Sequence, residues 1–383
     1  MTSLPAPSAE QSAASRALVE TVRAEIARAG GWLPFADYMR LALYAPGLGY
    51  YAGGSRKFGA AGDFVTAPEL SPLFGRTLAR PVAQVLAAVG GDVLEVGAGS
   101  GRLAADLLAE LAALDRLPAR YRILEVSAEL AARQRETIAA ALPQLVDRVE
   151  WLDALPRGFV GGIVGNEVLD AMPCRLVRWS AGAWFERGVA WDDGLRWEDR
   201  PLADPAAVAH LDGHALPDDY LTEIQPEACA FVASLADATA RGALILPDYG
   251  FAADEYYHPQ RSRGTLMCHY RHHSHDDPFH LPGLEDITTH VDFSAIWRAG
   301  DAAGWQLEGY TTQASFLLDA GLLELMGQQD PADPAYFRTA AAVQKLVGPA
   351  EMGELFKVIG FSKGVALPEL LAGFRRDDRS GGL

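Results

Sequence analysis

Three glycines at alternating positions mark the sharpest candidate site in the sequence. Residues 93–103 read VLEVGAGSGRL, an apolar strand-like run that turns into a helix-like one. Gly97, Gly99 and Gly101 lack the Cβ that would obstruct a tight turn and the close approach of a ligand to the backbone. A loop of this kind after the first strand of a doubly wound sheet holds a nucleotide-like cofactor at the carboxyl ends of the strands. Two details narrow the choice. Glu95 lies two residues before the first glycine. The spacing is also G-x-G-x-G, whereas the dinucleotide fingerprint is G-x-G-x-x-G. A dinucleotide needs the helix N-terminus for its pyrophosphate. S-adenosyl-L-methionine has no phosphate, and its sulfonium and ammonium groups favour nearby carboxylates. The loop is therefore read as an S-adenosyl-L-methionine site.

Carboxylates stand where such a cofactor would meet them. Glu125 follows the second strand-like run (YRILEVS), where an acid can accept hydrogen bonds from both ribose hydroxyls. Asp153 follows the third, a position suited to the adenine amino group. Both could instead cap helices. Glu167 and Asp170 come just after the fourth strand, three residues apart. A helical turn there would put both on one face, on the side where a substrate would approach. Local capping or salt bridging is the other reading. Asn166 either orients the nucleophile or caps the next helix. Asp63 and Thr66, with Pro68 and Glu69, precede the core in a segment able to fold over the cofactor as a lid. Glu69 also stands where it could cap a helix beginning near Ser71. The run CHYRHHSH at 268–275 matches no common zinc spacing, and methyl transfer needs no metal, so no metal site is expected.

The elements that must position these residues show an α/β rhythm from residue 92. Strands are expected at 93–96, 121–126, 149–152 and 162–166, with helices over 102–114 and 128–141. Residues 175–200 alternate like antiparallel strands, with Ala181-Gly182 as a turn, and read as an insertion before the next helix at 226–240. A strand at 243–246, a polar His-rich loop over 252–290, a helix near 293–303, a strand near 305–310, a helical region through 350 and a last strand at 356–361 follow. The expected fold is α/β: a Rossmann-like sheet with helices on both faces, an N-terminal helical lid segment and inserted substrate-side elements. The expected organisation is a disordered tail over 1–15, a helical segment over 16–90 and the cofactor core over 91–250. An insertion plus the final strands would occupy 251–365, and a C-terminal tail 366–383.

Charge and composition exclude several classes. The 383 residues carry 33 Lys and Arg against 50 Asp and Glu, a formal net charge of −17. Such a body repels phosphate backbones, so nucleic acid is not expected as a partner, while a basic, arginine-bearing segment would be attracted. Three widely spaced cysteines, Cys174, Cys229 and Cys268, suit a reducing compartment better than a disulfide framework. No apolar run is long enough to span a bilayer, and the first fifteen residues lack the pattern of a secretory signal. A cytoplasmic protein without membrane insertion is expected.

Five further blocks carry a family resemblance. They are GDFVTAPELS at 62–71, NEVLDAMP at 166–173, DYG at 248–250, DITTHVDF at 286–293 and MGELFK at 352–357. Together with the glycine loop, they resemble the MidA-like family of S-adenosylmethionine-dependent methyltransferases, in order and over nearly the whole chain. Ile287 and Thr289 depart from the family's usual Leu and Ala. The resemblance implies methyl transfer from S-adenosyl-L-methionine. In the family's mitochondrial member it implies symmetric dimethylation of an arginine on a respiratory complex I subunit. A protein arginine is thus the expected acceptor. The competing expectations are a non-catalytic assembly factor that binds the same cofactor, and a nicotinamide oxidoreductase, which the glycine spacing disfavours.

Overall fold

The computed structural model describes residues 4–53 and 66–383. Asp63, expected at the cofactor, lies outside them. The chain divides into two compact units, each assembled from three separate stretches. An α/β unit comprises Val65–Val168, Ala230–Gly250 and Ile296–Leu383, and a β-rich unit comprises Met1–Phe64, Leu169–Cys229 and Phe251–Ala295. The β insertion near 175–200 and the return of the final strands to the core are as expected, but the N-terminal segment and residues 251–295 join that insertion in one unit, which the sequence did not suggest.

The α/β unit is organised by strands β1 (Asp92–Val96), β2 (Tyr121–Leu124), β3 (Val149–Leu152), β4 (Phe159–Val164), β5 (Thr239–Phe251), β6 (Gln306–Thr312) and β7 (Phe356–Lys363). They lie in the order 3-2-1-4-5-7-6. β1 pairs in parallel with β2 and β4, β3 with β2, and β5 with β4. Of these seven strands β7 runs antiparallel, between β5 and β6. The strand order reverses between β1 and β4, and such a switch point opens a crevice at the strands' carboxyl ends. Val93, Leu94 and Val96 are all buried, as expected of a strand covered on both faces.

Helices α1 (Pro72–Val89), α2 (Arg102–Ala113) and α3 (Ala128–Ala141) belong to the same unit. Ser71 caps α1 by accepting from the Leu73 N–H at 3.2 Å, with Pro72 at the first helical position. The capping role considered for Glu69 therefore belongs to Ser71. α2 buries Leu103, Leu107, Leu108 and Leu111, a stripe at helical spacing. Truncating one of these leucines to alanine would cost about 2–5 kcal/mol. Leu371 and Phe374 join this core, so the stretch after 366 is packed in place over those residues and is not a free tail.

The β-rich unit has a five-stranded antiparallel sheet. Its main path runs Leu33–Pro34, Ala183–Trp191, Arg175–Ser180, Tyr220–Ile224, with Leu195–Pro201 also paired to Ala183–Trp191. Ala181 and Gly182 make the expected hairpin turn with φ of 50° and 77°. Leu176 and Val189 of the sheet share a core with Leu18, Val22 and Ile26 of the helix Ala9–Arg28 and with Tyr38 and Met39 of the helix Phe35–Tyr44.

Two sequence expectations are corrected in this unit. The first helix begins at Ala9, inside the stretch read as a disordered tail, because Ser8 and Gln11 form a reciprocal capping box. The Gln11 N–H donates to Ser8 Oγ at 3.1 Å, and the Ser8 N–H donates to Gln11 Oε1 at 2.9 Å. Residues 252–290 are not simply a loop. Met267–Tyr270 pairs antiparallel with both His273–His275 and Asp286–Thr288 to make a small three-stranded sheet.

Candidate active site

β1 ends in a turn that only glycine accommodates without strain. Gly97, Gly99 and Gly101 have φ of 67°, 51° and 83°. A Cβ on Gly101 would lie 2.9 Å from the Cα of Gln134 on α3, so the loop rests directly on that helix. Gln134 is fully buried. Its amide donates to the Gly99 carbonyl at 3.1 Å and to Glu125 Oε2 at 2.8 Å, and accepts from the Trp151 indole at 2.9 Å. One side chain thus ties the loop to the acid after β2 and to β3. Sequence reasoning missed it, although a signal exists. Leu130, Gln134 and Ile138 follow one another at four-residue spacing on the buried face of α3, so Gln134 is a polar residue within an apolar stripe.

The acids around this turn occupy different environments. Glu125 is half-buried. Its Oε1 accepts from the Ser127 N–H at 2.8 Å, and burial pushes its carboxyl above the ordinary range against those hydrogen bonds. Ser127, not Glu125, caps α3. Asp153 lies one residue past β3 and is exposed. Glu95 is only 1% exposed and accepts from the Tyr121 hydroxyl at 2.5 Å. Burial pushes its carboxyl up to about 7, with the Tyr121 hydrogen bond acting in the other direction. The Ser100 hydroxyl on the loop donates to Glu69, which stands in the short helical turn Ala67–Leu70. Thr66 holds the N-cap position of that turn without a side-chain capping bond.

The end of β4 is built differently. Beyond the strand the chain stays stitched to β5. The Glu167 N–H donates to the Pro247 carbonyl at 3.0 Å, and the Val168 N–H donates to Asp248 Oδ2 at 3.1 Å. The other Asp248 oxygen accepts from the Tyr249 N–H at 2.8 Å, which gives the acid of the DYG block its structural task. Glu167 has φ of 52°, a left-handed conformation that costs a side-chain-bearing residue about 1–2 kcal/mol. Its Oε1 accepts from Asn166 Nδ2 at 2.8 Å and from the Ala67 N–H at 3.5 Å. Asn166 is 9% exposed, and its Oδ1 has no hydrogen-bond partner among the described residues.

The expected helical turn carrying Glu167 and Asp170 on one face is not formed. The left-handed Glu167 and the bonds to β5 preclude it. Asn166 accordingly has no following helix to cap. The division between units falls after Val168, so Glu167 belongs to the α/β unit and Asp170 to the β-rich unit. Asp170 is 5% exposed there, and its carbonyl accepts from the Thr289 N–H at 3.0 Å.

The strand order, the antiparallel β7 and the glycine turn at the first strand define a Rossmann-like class I methyltransferase fold. The chain belongs to the MidA-like family of S-adenosyl-L-methionine-dependent methyltransferases, and a family model described as an S-adenosyl-L-methionine-dependent methyltransferase matches residues 77–311. A Burkholderia thailandensis protein crystallised with S-adenosyl-homocysteine is 55% identical, with all of both chains covered and a TM-score of 0.97. The mitochondrial protein arginine methyltransferase NDUFAF7 of Danio rerio is 29% identical over 86% of this chain and 83% of its own length. Its Caenorhabditis elegans homologue is also 29% identical, over 70% and 68%. The cofactor is S-adenosyl-L-methionine. The turn suits it, because three left-handed glycines leave the backbone open to close approach and no phosphate must be met at the helix start. Among the described residues, no helix is long and apolar enough to cross a membrane.

Proposed function

We propose that this methyltransferase modifies an arginine side chain of a protein. A respiratory complex I subunit is the target that the family resemblance implies. The observation that carries the reading is Glu167: a charged residue held in a strained conformation at the carboxyl end of a central parallel strand. Strain of this kind persists where the surroundings impose it, and it concentrates at functional sites. The names of the mitochondrial relatives support the choice of arginine. The net charge of −17 favours a basic segment as partner. We place the protein in the cytoplasm, where Cys174, Cys229 and Cys268 persist as thiols.

In this reading Gly97, Gly99, Gly101, Glu125, Asp153 and Thr66 hold the cofactor. Glu95, counted with them from the sequence, is enclosed in β1 and accepts from the Tyr121 hydroxyl of β2. When bound, S-adenosyl-L-methionine supplies an electrophilic methyl group on a sulfonium, which is left as a neutral thioether. The acceptor is a guanidinium, delocalised and protonated at any physiological pH. Glu167 binds its N–H groups and localises its charge, which leaves one nitrogen the better nucleophile. That nitrogen gains the methyl and sheds one proton, for which the Glu167 carboxylate is the acceptor. Asn166 holds Glu167 in place through its amide N–H and presents its buried Oδ1 as a further acceptor.

The test is titration with S-adenosyl-homocysteine beside a methyl-transfer assay on hypomethylated lysate, read by mass spectrometry for methylarginine. Glu167→Gln and Asp170→Asn should each lower turnover by on the order of 100-fold and leave cofactor affinity within about twofold. Normal turnover in both variants would refute the role. Lost cofactor affinity in either would move that residue to the cofactor or the scaffold.

A further inference from the structure

The small three-stranded sheet of the β-rich unit carries two enclosed polar residues on its otherwise partly exposed face. Side chains alternate along Asp286–Thr288. Ile287 and its cross-strand partner Cys268 are fully buried in the unit's apolar core. Asp286 and Thr288 therefore project from the opposite face, yet they are only 2% and 4% exposed. Enclosing a carboxylate and a hydroxyl is costly unless hydrogen-bonding groups meet them. Asp286 Oδ1 accepts from the Tyr51 hydroxyl at 2.9 Å, and the Tyr51 ring stacks on Tyr44 with centroids 5.5 Å apart. Thr288 Oγ1 has no hydrogen-bond partner among the described residues.

A second acid is fixed beside the first. The Thr289 N–H donates to the Asp170 carbonyl at 3.0 Å, and the Tyr44 hydroxyl donates to the Ala171 carbonyl at 3.0 Å. These bonds bracket Asp170 and lay it along the end of the strand that carries Asp286. The Tyr51 phenol senses both acids. Burial pushes it well above its ordinary value, and the charges of Asp286 and, less strongly, Asp170 push it further. Two enclosed carboxylates and the Tyr44 ring thus meet at Tyr51, and the Thr288 hydroxyl lies on the same face of the strand as Asp286, all within one unit.

We propose that Asp170, Asp286, Tyr44, Tyr51 and Thr288 form the recognition site for the acceptor guanidinium. This rests on the arginine reading above and adds to it the residues that select arginine. A guanidinium presents five N–H donors in one plane and an apolar face. Carboxylates and a hydroxyl satisfy the edge, and aromatic rings suit the face through a cation–π contact. A lysine ammonium has three donors on a compact centre and no plane to stack, so the same site disfavours it.

The experiment uses the full-length protein saturated with S-adenosyl-homocysteine. The probes are a blocked peptide, Gly-Arg-Gly-Gly-Arg-Gly, and its lysine twin, titrated by calorimetry. Wild type should bind the arginine peptide about tenfold or more tighter than the lysine peptide. Asp286→Asn should weaken the arginine peptide by about tenfold or more and leave S-adenosyl-homocysteine affinity unchanged. Thr288→Val is the sharper variant. It removes a buried hydroxyl that has no partner, so Tm should hold or rise, yet arginine-peptide affinity should fall about fivefold. If Asp286→Asn does not fold, Thr288→Val decides alone. Wild-type affinity for the arginine peptide in a folded variant overturns the site and leaves the arginine reading standing. Failure of the wild-type protein to distinguish the two peptides overturns both.

Discussion

Two turns close neighbouring parallel strands of one sheet, and they handle backbone strain in opposite ways. After β1 the chain enters the left-handed region three times, each time with a glycine. After β4 it does so with Glu167. Where backbone must come close to a ligand, a side chain is an obstacle and glycine removes both the obstacle and the strain. Where a carboxylate must be presented at one spot, the side chain is required and the strain is retained. It is offset by the Pro247 carbonyl, the Asp248 carboxylate one residue on, and the Asn166 amide. In the proposed function the first turn serves shape and the second charge.

The strongest way to break that contrast is to give the first turn a side chain. Gly99→Val puts a β-branched residue at a φ of 51°. It should reduce affinity for S-adenosyl-homocysteine by on the order of 1,000-fold, about 4 kcal/mol, through strain and lost ligand space. Isothermal titration reads the effect, and near-normal affinity would mean that the turn does not touch the cofactor.

Next in size is the buried acid of β1. Glu95 has an ordinary value of 4.5 raised to about 7 in the folded protein. The folded state therefore holds a proton that the unfolded state has lost between those values, and stability falls as pH rises from about 4.5 through 7. The shift corresponds to about 3 kcal/mol. Glu95→Gln keeps an acceptor for the Tyr121 hydroxyl and cannot ionise. It should match wild type at pH 5 and exceed it by about 2–3 kcal/mol at pH 8 in urea melts. A constant difference between the two proteins across that range would show that Glu95 keeps its ordinary value.

The smallest effect sharpens the comparison most. Glu167→Gly gives the second turn the solution used by the first. It relieves the left-handed strain but gives up the carboxylate's bonds from Asn166 and Ala67, so stability should change by less than about 1 kcal/mol. It should also lower methyl transfer by on the order of 100-fold. A variant that is both more stable and fully active would show that the strain serves no purpose.

Much of the α/β unit was legible in the sequence, for identifiable reasons. The helix over 128–141 and the strand over 149–152 have the expected bounds, because a serine cap and clean apolar periodicity mark them. β4 begins three residues earlier than expected and ends two earlier, since glycines on both sides of Ile163 blur the run. The sheet inside the His-rich stretch was missed because its strands are three or four residues long, too short for alternation to stand out. The glycine turn after β1 and the place of Glu125 just past β2 were legible from motif and strand pattern. Gln134 was not, although it joins them. Nor was the conformation of Glu167, because non-glycine residues seldom adopt it and residue type alone cannot announce it. The helical face assumed for Glu167 and Asp170 failed for that reason.

The threading of the chain has a consequence for how the protein is made. The polypeptide passes from one unit to the other at five places between residues 64 and 296, so neither unit is a continuous piece of sequence. In the sheet, β7 lies between β5 and β6 although it comes last. As the ribosome extends the chain, β6 emerges with no neighbour to pair with and waits until residues 356–363 arrive. The sheet is then closed from its middle by its final strand. An open strand edge on a nearly complete chain invites pairing with another copy. Synthesis of this protein should therefore be most vulnerable to aggregation in its last stretch, and shortening the chain before residue 356 should leave β6 stranded.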